Sequence, residues 1–349
     1  MTLVPDAPTI RSILVIKLRA IGDVLLSTVV LPNLRRAFPS ARIDFLTEPP
    51  SVEVLRGNPF VDEVLVFDSS VMSGPGLIRM VRRRRYDMVI DLFGNPRTAL
   101  VTRLSRARYR VGYRFRQRAY AYNIVVEPRG GQVHNTQFNL DALEAIGVPV
   151  VDRSVQFRLS AEDEAYIDRF VGKEFRPGEL IAGLNMGGGW YTKRWGLERY
   201  AALADRLSTE LKARIVLLWG PGQRADAERV QALMNVSAVI PPATSLKQLG
   251  AMIRRCRFVV SNDSGPMHIA AAVGTPVLGI FGPTNPALQG PYGSQHMTVR
   301  KEGLECLGCN LTKCPIGNIC MVELSVDEVM QSVRALLKRN GLPGEGGPV

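Results

Sequence analysis

Residues 258–286, FVVSNDSGPMHIAAAVGTPVLGIFGPTNP, constrain the fold of this chain more than any other stretch. An apolar β-branched run is followed by a polar turn bearing Gly265, a helix of small residues, a second apolar run and another Gly/Pro turn. That order reads as strand, helix, strand in an α/β sheet. It sets free backbone N–H groups and the positive end of a helix beside the carboxyl ends of two strands, where anions bind. The segment therefore points to a phosphorylated ligand.

The same alternation runs along the chain. Strands are predicted at 12–18, 41–47, 62–68, 86–92 and RYRVGY, with helices between them over SVEVLRG, GLIRMVRRRR and 96–107. Helical periodicity over 21–38 contains Pro32, which predicts a kink or a break. Residues 135–147 read as a helix closed by Gly147. The stretch 148–178 reads as a connection holding one charged helix, EDEAYIDRFV, and the breaker Arg176-Pro177-Gly178. A second alternation follows, with strands at 180–186, 214–220, VSAVIP, FVVS and PVLGIF, and an amphipathic helix at 325–340. A chain of 349 residues is long for one core and comfortable for two. The expectation is two Rossmann-like doubly wound α/β domains, 1–175 and 176–349, facing across a cleft, with the C-terminal helix packing back on the first. Ligands would lie at the carboxyl ends of the strands.

Hydrophobic content of 46% and charged content of 22% are ordinary for a globular protein. No run approaches the roughly 20 apolar residues that span a bilayer. The start MTLVPDAPTIRS lacks the pattern of a secretory signal, so the default expectation is a cytoplasmic location. The net charge of +12 is concentrated in the first half, at Arg79, Arg82, Arg83, Arg84 and Arg85 and again from Arg103 to Arg118. Such patches attract nucleic acid, anionic lipid or acidic substrates. No nucleic-acid motif accompanies them. The partner class indicated is a membrane surface or an acidic glycolipid.

Two turns carry candidate chemistry. After the first strand comes Arg19-Ala20-Ile21-Gly22-Asp23, where Gly22 is expected to allow a sharp turn. Asp23 at a helix start satisfies N–H groups and favours the dipole, which accounts for it structurally. The functional alternative is a carboxylate that takes a proton from an acceptor hydroxyl. The second turn, Met186-Gly187-Gly188-Gly189-Trp190-Tyr191-Thr192-Lys193, allows close backbone approach and supplies a point charge. It has neither Walker A nor GxGxxG spacing. With the Asp263-Ser264-Gly265 turn it reads as a diphosphate site. Beyond Trp219, Gln223, Asp226 or Glu228 is placed to reach a ribose, or the two acids form a solvated helix face. His268, alone on its helix, reads as a packing residue. Cys306, Cys309, Cys314 and Cys320 cluster at spacings unlike a zinc ribbon and read either as a metal site, zinc or iron, or as reduced thiols. Cys256 reads as a small core residue.

Taken together, Val15-Ile16-Lys17 with Ile21-Gly22-Asp23-Val24, Lys193-x-Trp195, Asn262 to His268 and Phe281-Gly282-Pro283-Thr284-Asn285-Pro286 resemble glycosyltransferase family 9. These are the heptosyltransferases of lipopolysaccharide core assembly and their relatives. The resemblance extends to YDMVIDLFGNPRTALVTRLSRARYRVGY and CLGCNLTKCPIGNICM. It implies a GT-B fold and inverting transfer without a catalytic divalent metal or other required cofactor. The donor implied is ADP-L-glycero-D-manno-heptose and the acceptor an acidic lipopolysaccharide inner core, reached at the inner face of the inner membrane. Asp23 would be the base. Gly187, Gly188, Thr192, Lys193, Asp263, Ser264, Gly265, Pro266, Met267 and His268 would hold the donor, with Lys193 also serving catalysis. Lys17, Arg19, Gly22 and Arg97 would face the acceptor. The chain departs from the family pattern at Arg19-Ala20, where a Ser/Thr pair is common. The same fold also admits another nucleotide-sugar, a protein acceptor, or a non-catalytic binding module.

Overall fold

The alternation closes into two six-stranded parallel sheets. The computed structural model describes residues 9–342. Residues 1–8, which begin the segment read as lacking a signal, and 343–349 lie outside the described residues. The first sheet contains β1 (Ser12–Ile16), β2 (Arg42–Thr47), β3 (Glu63–Val66), β4 (Met88–Asp91), β5 (Tyr109–Tyr113) and β6 (Ile124–Val126), in the order β3-β2-β1-β4-β5-β6. The second contains β7 (Ile181–Asn185), β8 (Arg214–Leu218), β9 (Ala238–Val239), β10 (Phe258–Asn262), β11 (Val277–Phe281) and β12 (Met297–Arg300), in the order β12-β11-β10-β7-β8-β9. Every strand pair is parallel. Counted from its own first strand, each sheet has the same doubly wound order. The order reverses between β1 and β4 and between β7 and β10, and a crevice opens at such a point beyond the carboxyl ends.

Both central strand sets are buried on two faces, as continuous apolar runs in parallel sheets require. The edge strands β6 and β12 were not foreseen. At three and four residues they are too short to show a period. The helix expected over 21–38 breaks at Thr28–Val29 into Ile21–Ser27 and Val30–Ala37. Pro32 thus falls in the first turn of the second helix, where its missing N–H costs nothing.

The chain divides into Met1–Arg158 and Leu159–Val349, earlier than the expected boundary after residue 175. The reason is the helix Ala161–Glu174, which packs on the helix Leu246–Arg255 of the second unit. Glu164–Arg254 at 2.5 Å and Asp168–Arg255 at 2.6 Å add ion pairs along that contact. The C-terminal helix Val326–Arg339 also corrects an expectation. Val329, Met330, Val333, Leu336 and Leu337 bury it in the core of the second unit, against the helix Leu197–Leu211, β11 and β12.

His296, just before β12, is buried, and neither ring nitrogen has a hydrogen-bond partner among the described residues. Burial pushes its pKa down to about 4. The unfolded chain takes up a proton near pH 6.5 while the folded chain stays neutral, so this contribution is full above 6.5 and is lost as pH falls towards 4. His296→Leu is therefore expected to remove about 2 kcal/mol of the loss in stability between pH 7 and pH 5. Urea unfolding at the two pH values checks this, and an equal loss in both proteins contradicts it.

Candidate active site

In the first unit, the reversal between β1 and β4 gathers the turn after Ile16 and the turn after Asp91. Asp23 is the third residue of the helix Ile21–Ser27, and its Oδ2 accepts the N–H of Ala20 at 3.2 Å. This is the structural role foreseen, restricted to one oxygen. The other, Oδ1, has no hydrogen-bond partner among the described residues, and the side chain is only half-buried. A carboxylate held by one oxygen and open at the other can accept a proton. Gly22 does not turn the chain, contrary to expectation. It is a buried helical residue without a positive φ.

Lys17 is held at the end of β1 by donating to the carbonyl of Leu92 at 2.9 Å. Burial pulls its pKa down, and the charges of Asp23 and Asp91 oppose the shift. Asp91 closes β4 and accepts from the N–H groups of Phe93 (3.1 Å) and Gly94 (2.9 Å) and from the Tyr122 hydroxyl (2.8 Å). Burial raises its pKa against these hydrogen bonds. Asp91 therefore shapes the turn that leads to Arg97. Arg97 is exposed, its guanidinium 4.9 Å from the centre of the Phe67 ring. Arg19 is exposed and lies 3.9 Å from Glu48. Two exposed cations and the half-buried Lys17 thus follow the carboxyl ends of β1 and β4, as does a carboxylate that keeps one oxygen free.

In the second unit, the reversal between β7 and β10 is tied by strand-end asparagines. Asn185 donates to Ser261 (2.8 Å) and Ser264 (2.9 Å), and Asn262 donates to the Met186 carbonyl (2.8 Å). Asn262 Oδ1 accepts from the Trp195 N–H (3.2 Å) and the Tyr200 hydroxyl (3.0 Å). Trp195 is buried and donates its ring N–H to Leu324, so the turn carrying Lys193 is anchored at its far end. Lys193 Nζ lies 2.7 Å from Asp263 Oδ2 and 4.5 Å from the centre of the Trp190 ring. Thr284 donates to the same carboxylate oxygen at 2.7 Å.

Ser264 precedes the helix Gly265–Ala272, but its hydroxyl is spent on Asn262 and Asn185. That helix start has no side-chain cap, which leaves its N–H groups open to an anion. A Cβ at Gly187 would come 2.5 Å from Gln223 Oε1, so a side chain there would push the Gln223 amide aside. Gln223 in turn accepts the Gly220 N–H at 3.1 Å, which places it in this crevice. Asp226 lies 3.9 Å from Arg194, and Glu228 pairs with Arg224 on the surface. Arg194 also donates to the carbonyl of the buried Gly188 at 3.0 Å. Three of the expected donor residues pack inside the unit. Thr192 is buried and donates to Leu311 at 2.9 Å, and Met267 and His268 are buried on the helix. Pro266 remains half-exposed at the helix start.

A profile of glycosyltransferase family 9 (heptosyltransferase) matches residues 76–320. The chain belongs to this family. It is 28% identical to lipopolysaccharide heptosyltransferase 1 of Pseudomonas aeruginosa, over 86% of this chain and 87% of that one. Among solved structures it resembles a family 9 glycosyltransferase from Veillonella parvula, with a TM-score of 0.83 and 25% identity over 94% of this chain and 97% of that one. It also resembles the ADP-heptose lps heptosyltransferase II of E. coli, with a TM-score of 0.74 and 22% identity over 95% and 99% of the chains. This glycosyltransferase thus has the paired Rossmann-like sheets of the GT-B enzymes.

Of the two readings of the cysteines in this family 9 chain, metal site or reduced thiols, the metal site finds no support among the described residues. Cys306, Cys309, Cys314 and Cys320 all line one cavity of about 60 Å³. Four sulfurs would suit zinc or iron. Yet no three His, Cys, Asp or Glu side chains among the described residues are placed to hold an ion, so the donors fit and the geometry does not. Burial and the neighbouring cysteines push the Cys320 thiol up to about 11. Cys256 is the buried core residue foreseen, its thiol pushed up to about 12 by burial.

Sequence reading missed Asp91, Asn185, Tyr200 and Thr284 as residues that position the site. The first two had a signal, a polar residue ending an otherwise apolar strand. Thr284 stood within the Phe281–Pro286 motif but its role was not read, and Tyr200 had no signal because its partner Asn262 is distant in sequence.

Proposed function

We propose that the enzyme transfers heptose from ADP-L-glycero-D-manno-heptose to an acidic lipopolysaccharide inner-core acceptor, with inversion at the anomeric carbon. The first unit holds the acceptor and the second the donor. The observation that carries this reading is the buried Lys193–Asp263 pair beside the uncapped start of the helix Gly265–Ala272. The names of the relatives supply the sugar.

In this reading Asp23 Oδ1 accepts the proton of an acceptor hydroxyl. The hydroxyl oxygen attacks the anomeric carbon, and the bond to the diphosphate oxygen breaks with its electron pair leaving on ADP. The charge that develops there is met by Lys193 and the helix N–H groups, so no step is assigned to a divalent metal. Asp263 is an acceptor only and cannot bind phosphate oxygens. It holds Lys193 in place and is free to accept a sugar hydroxyl. Lys17, Arg19 and Arg97 supply the positive rim for the acidic acceptor, which is reached at the cytoplasmic face of the inner membrane. Among the described residues no helix is long and apolar enough to cross a membrane.

Incubation with ADP-heptose and a heptose-deficient core acceptor should release ADP only when both are present, with the product of opposite anomeric configuration. Binding of ADP without release, for any core acceptor, would move the assignment to another sugar or to a binding module.

A further inference from the structure

A wide cleft of the first unit lies away from the turns described above. It has a volume of about 880 Å³ and is lined by Arg79, Arg82, Arg83, Arg85, Arg106 and Arg108. The first three come from the helix Gly74–Arg83, Arg85 from the turn into β4, and the last two from the turn into β5. The cleft therefore opens at the amino ends of β4 and β5, whereas Lys17, Asp23 and Arg97 lie beyond the carboxyl ends of β1 and β4. The length of a four-residue strand, about 13 Å, separates the two levels.

The charge in this cleft is uncompensated. Arg79, Arg82, Arg83, Arg85 and Arg106 form no ion pair among the described residues. Their neighbour Arg84 shows the contrast, because it is spent on Glu63 at 2.6 Å and Asp44 at 3.4 Å. The one carboxylate in the lining, Asp87, is tied to the N–H groups of Arg11 and Ser12, both at 2.9 Å. Complementing a helix dipole accounts for Arg82 and Arg83 at the end of their helix. Arg85 and Arg106 directly follow the capping residues Arg84 and Ser105 of two helices, so the same argument reaches them, but it does not account for Arg108. Arg85 and Arg106 also occupy left-handed conformations, at φ 52° and 65°, where glycine or asparagine is the easier choice. Arginine forks match the oxygen pairs of phosphate groups.

We infer that this cleft docks the enzyme on the phosphate headgroups of an anionic lipid bilayer. Two features favour lipid over nucleic acid. The helix Pro96–Leu104, which leads into Arg106, exposes Leu100 and Leu104 one turn apart, and Pro75 and Ile78 add apolar surface to the cleft wall. Apolar side chains beside arginines suit the boundary between headgroups and acyl chains. Single-stranded nucleic acid instead needs aromatic platforms. The only aromatic residue in the lining, Tyr86, is buried with its hydroxyl on Asp44. The inference rests on the proposed lipid-linked acceptor for its purpose, and its test does not use that acceptor.

The full chain is sedimented with vesicles of phosphatidylcholine alone and of phosphatidylcholine with phosphatidylglycerol, at low and high ionic strength. Three proteins are compared: the natural chain, a cleft variant (Arg82→Gln, Arg83→Gln, Arg106→Gln), and a control of equal charge change on exposed positions of the second unit (Arg169→Gln, Lys173→Gln, Arg176→Gln). The natural chain should bind only the anionic vesicles and be released by salt. The cleft variant should bind about 100-fold more weakly and the control within about 3-fold of the natural chain. Arg106→Gln alone, expected to cost about 5-fold, keeps the test valid should the triple variant misfold. Equal losses in variant and control, or none in the variant, would overturn the inference. So would displacement from vesicles by soluble tripolyphosphate, or by an oligonucleotide, at lower concentration than the lipid phosphate present. Transfer to a short water-soluble core fragment should be unchanged in the cleft variant, which separates this contact from the transfer chemistry. Loss of that transfer would place the cleft in the acceptor site and overturn the inference.

Discussion

An Asp23→Asn enzyme should lose roughly 10²- to 10⁴-fold in kcat, the range supplied by a positioned general base. The KM values for both substrates should stay within about 3-fold, since the change touches a proton transfer and not uniform binding. Asparagine is the informative substitution, because its carbonyl oxygen can still accept the N–H of Ala20 and keep the start of the helix Ile21–Ser27. What it removes is the basicity of the free oxygen. Asp23→Ala removes both, so it should add a loss of about 1 kcal/mol in stability through the missing helix-start acceptor. If the two variants lose stability in this order while Asp23→Asn retains kcat, Asp23 is a helix-start residue only. Steady-state ADP release together with urea unfolding separates the two roles.

The division between what the sequence disclosed and what it hid follows from range. The central strands of both sheets are β-branched apolar runs with both faces buried, and such runs are legible wherever they occur. Their ends carried the site, since a turn of Gly, Ser and Asp after a buried strand brings polar groups and unpaired N–H donors to the rim of the sheet. The boundary at Arg158 was hidden because it depends on where the helix Ala161–Glu174 packs, and its own composition is simply that of a surface helix. Ion pairing was hidden in the same way. The run Arg82 to Arg85 looks uniform, yet only Arg84 meets Glu63 and Asp44, which arrive from β3 and β2. The cysteines stayed open between two readings because spacing alone does not set ligand geometry: the fold brings all four to one cavity, yet no three ligating side chains among the described residues are placed to hold an ion. At Asp23 the helix-start role occupies one carboxylate oxygen and leaves the other available for the proposed proton transfer.

Lys193→Met should produce the second large effect, and a paired variant tells its two parts apart. The lysine side chain is 14% exposed and that of Asp263 5%, so water screens their 2.7 Å contact only weakly. Removing the lysine leaves a buried carboxylate with the Thr284 hydroxyl as its remaining side-chain partner. Breaking a buried pair in this way costs about 3–5 kcal/mol. Removing both charges together, in Lys193→Met with Asp263→Asn, should return most of that stability, because no uncompensated ion remains. Activity should not return. The positive charge that meets the departing diphosphate is absent from both variants, and one such contact contributes about 10²- to 10³-fold in kcat. The double variant should therefore unfold near the urea midpoint of the natural chain while turning over about 100-fold more slowly or worse. Recovery of kcat along with stability would make the pair a structural clamp on the turn after Met186, and would move the leaving-group charge onto the uncapped start of the helix Gly265–Ala272 alone.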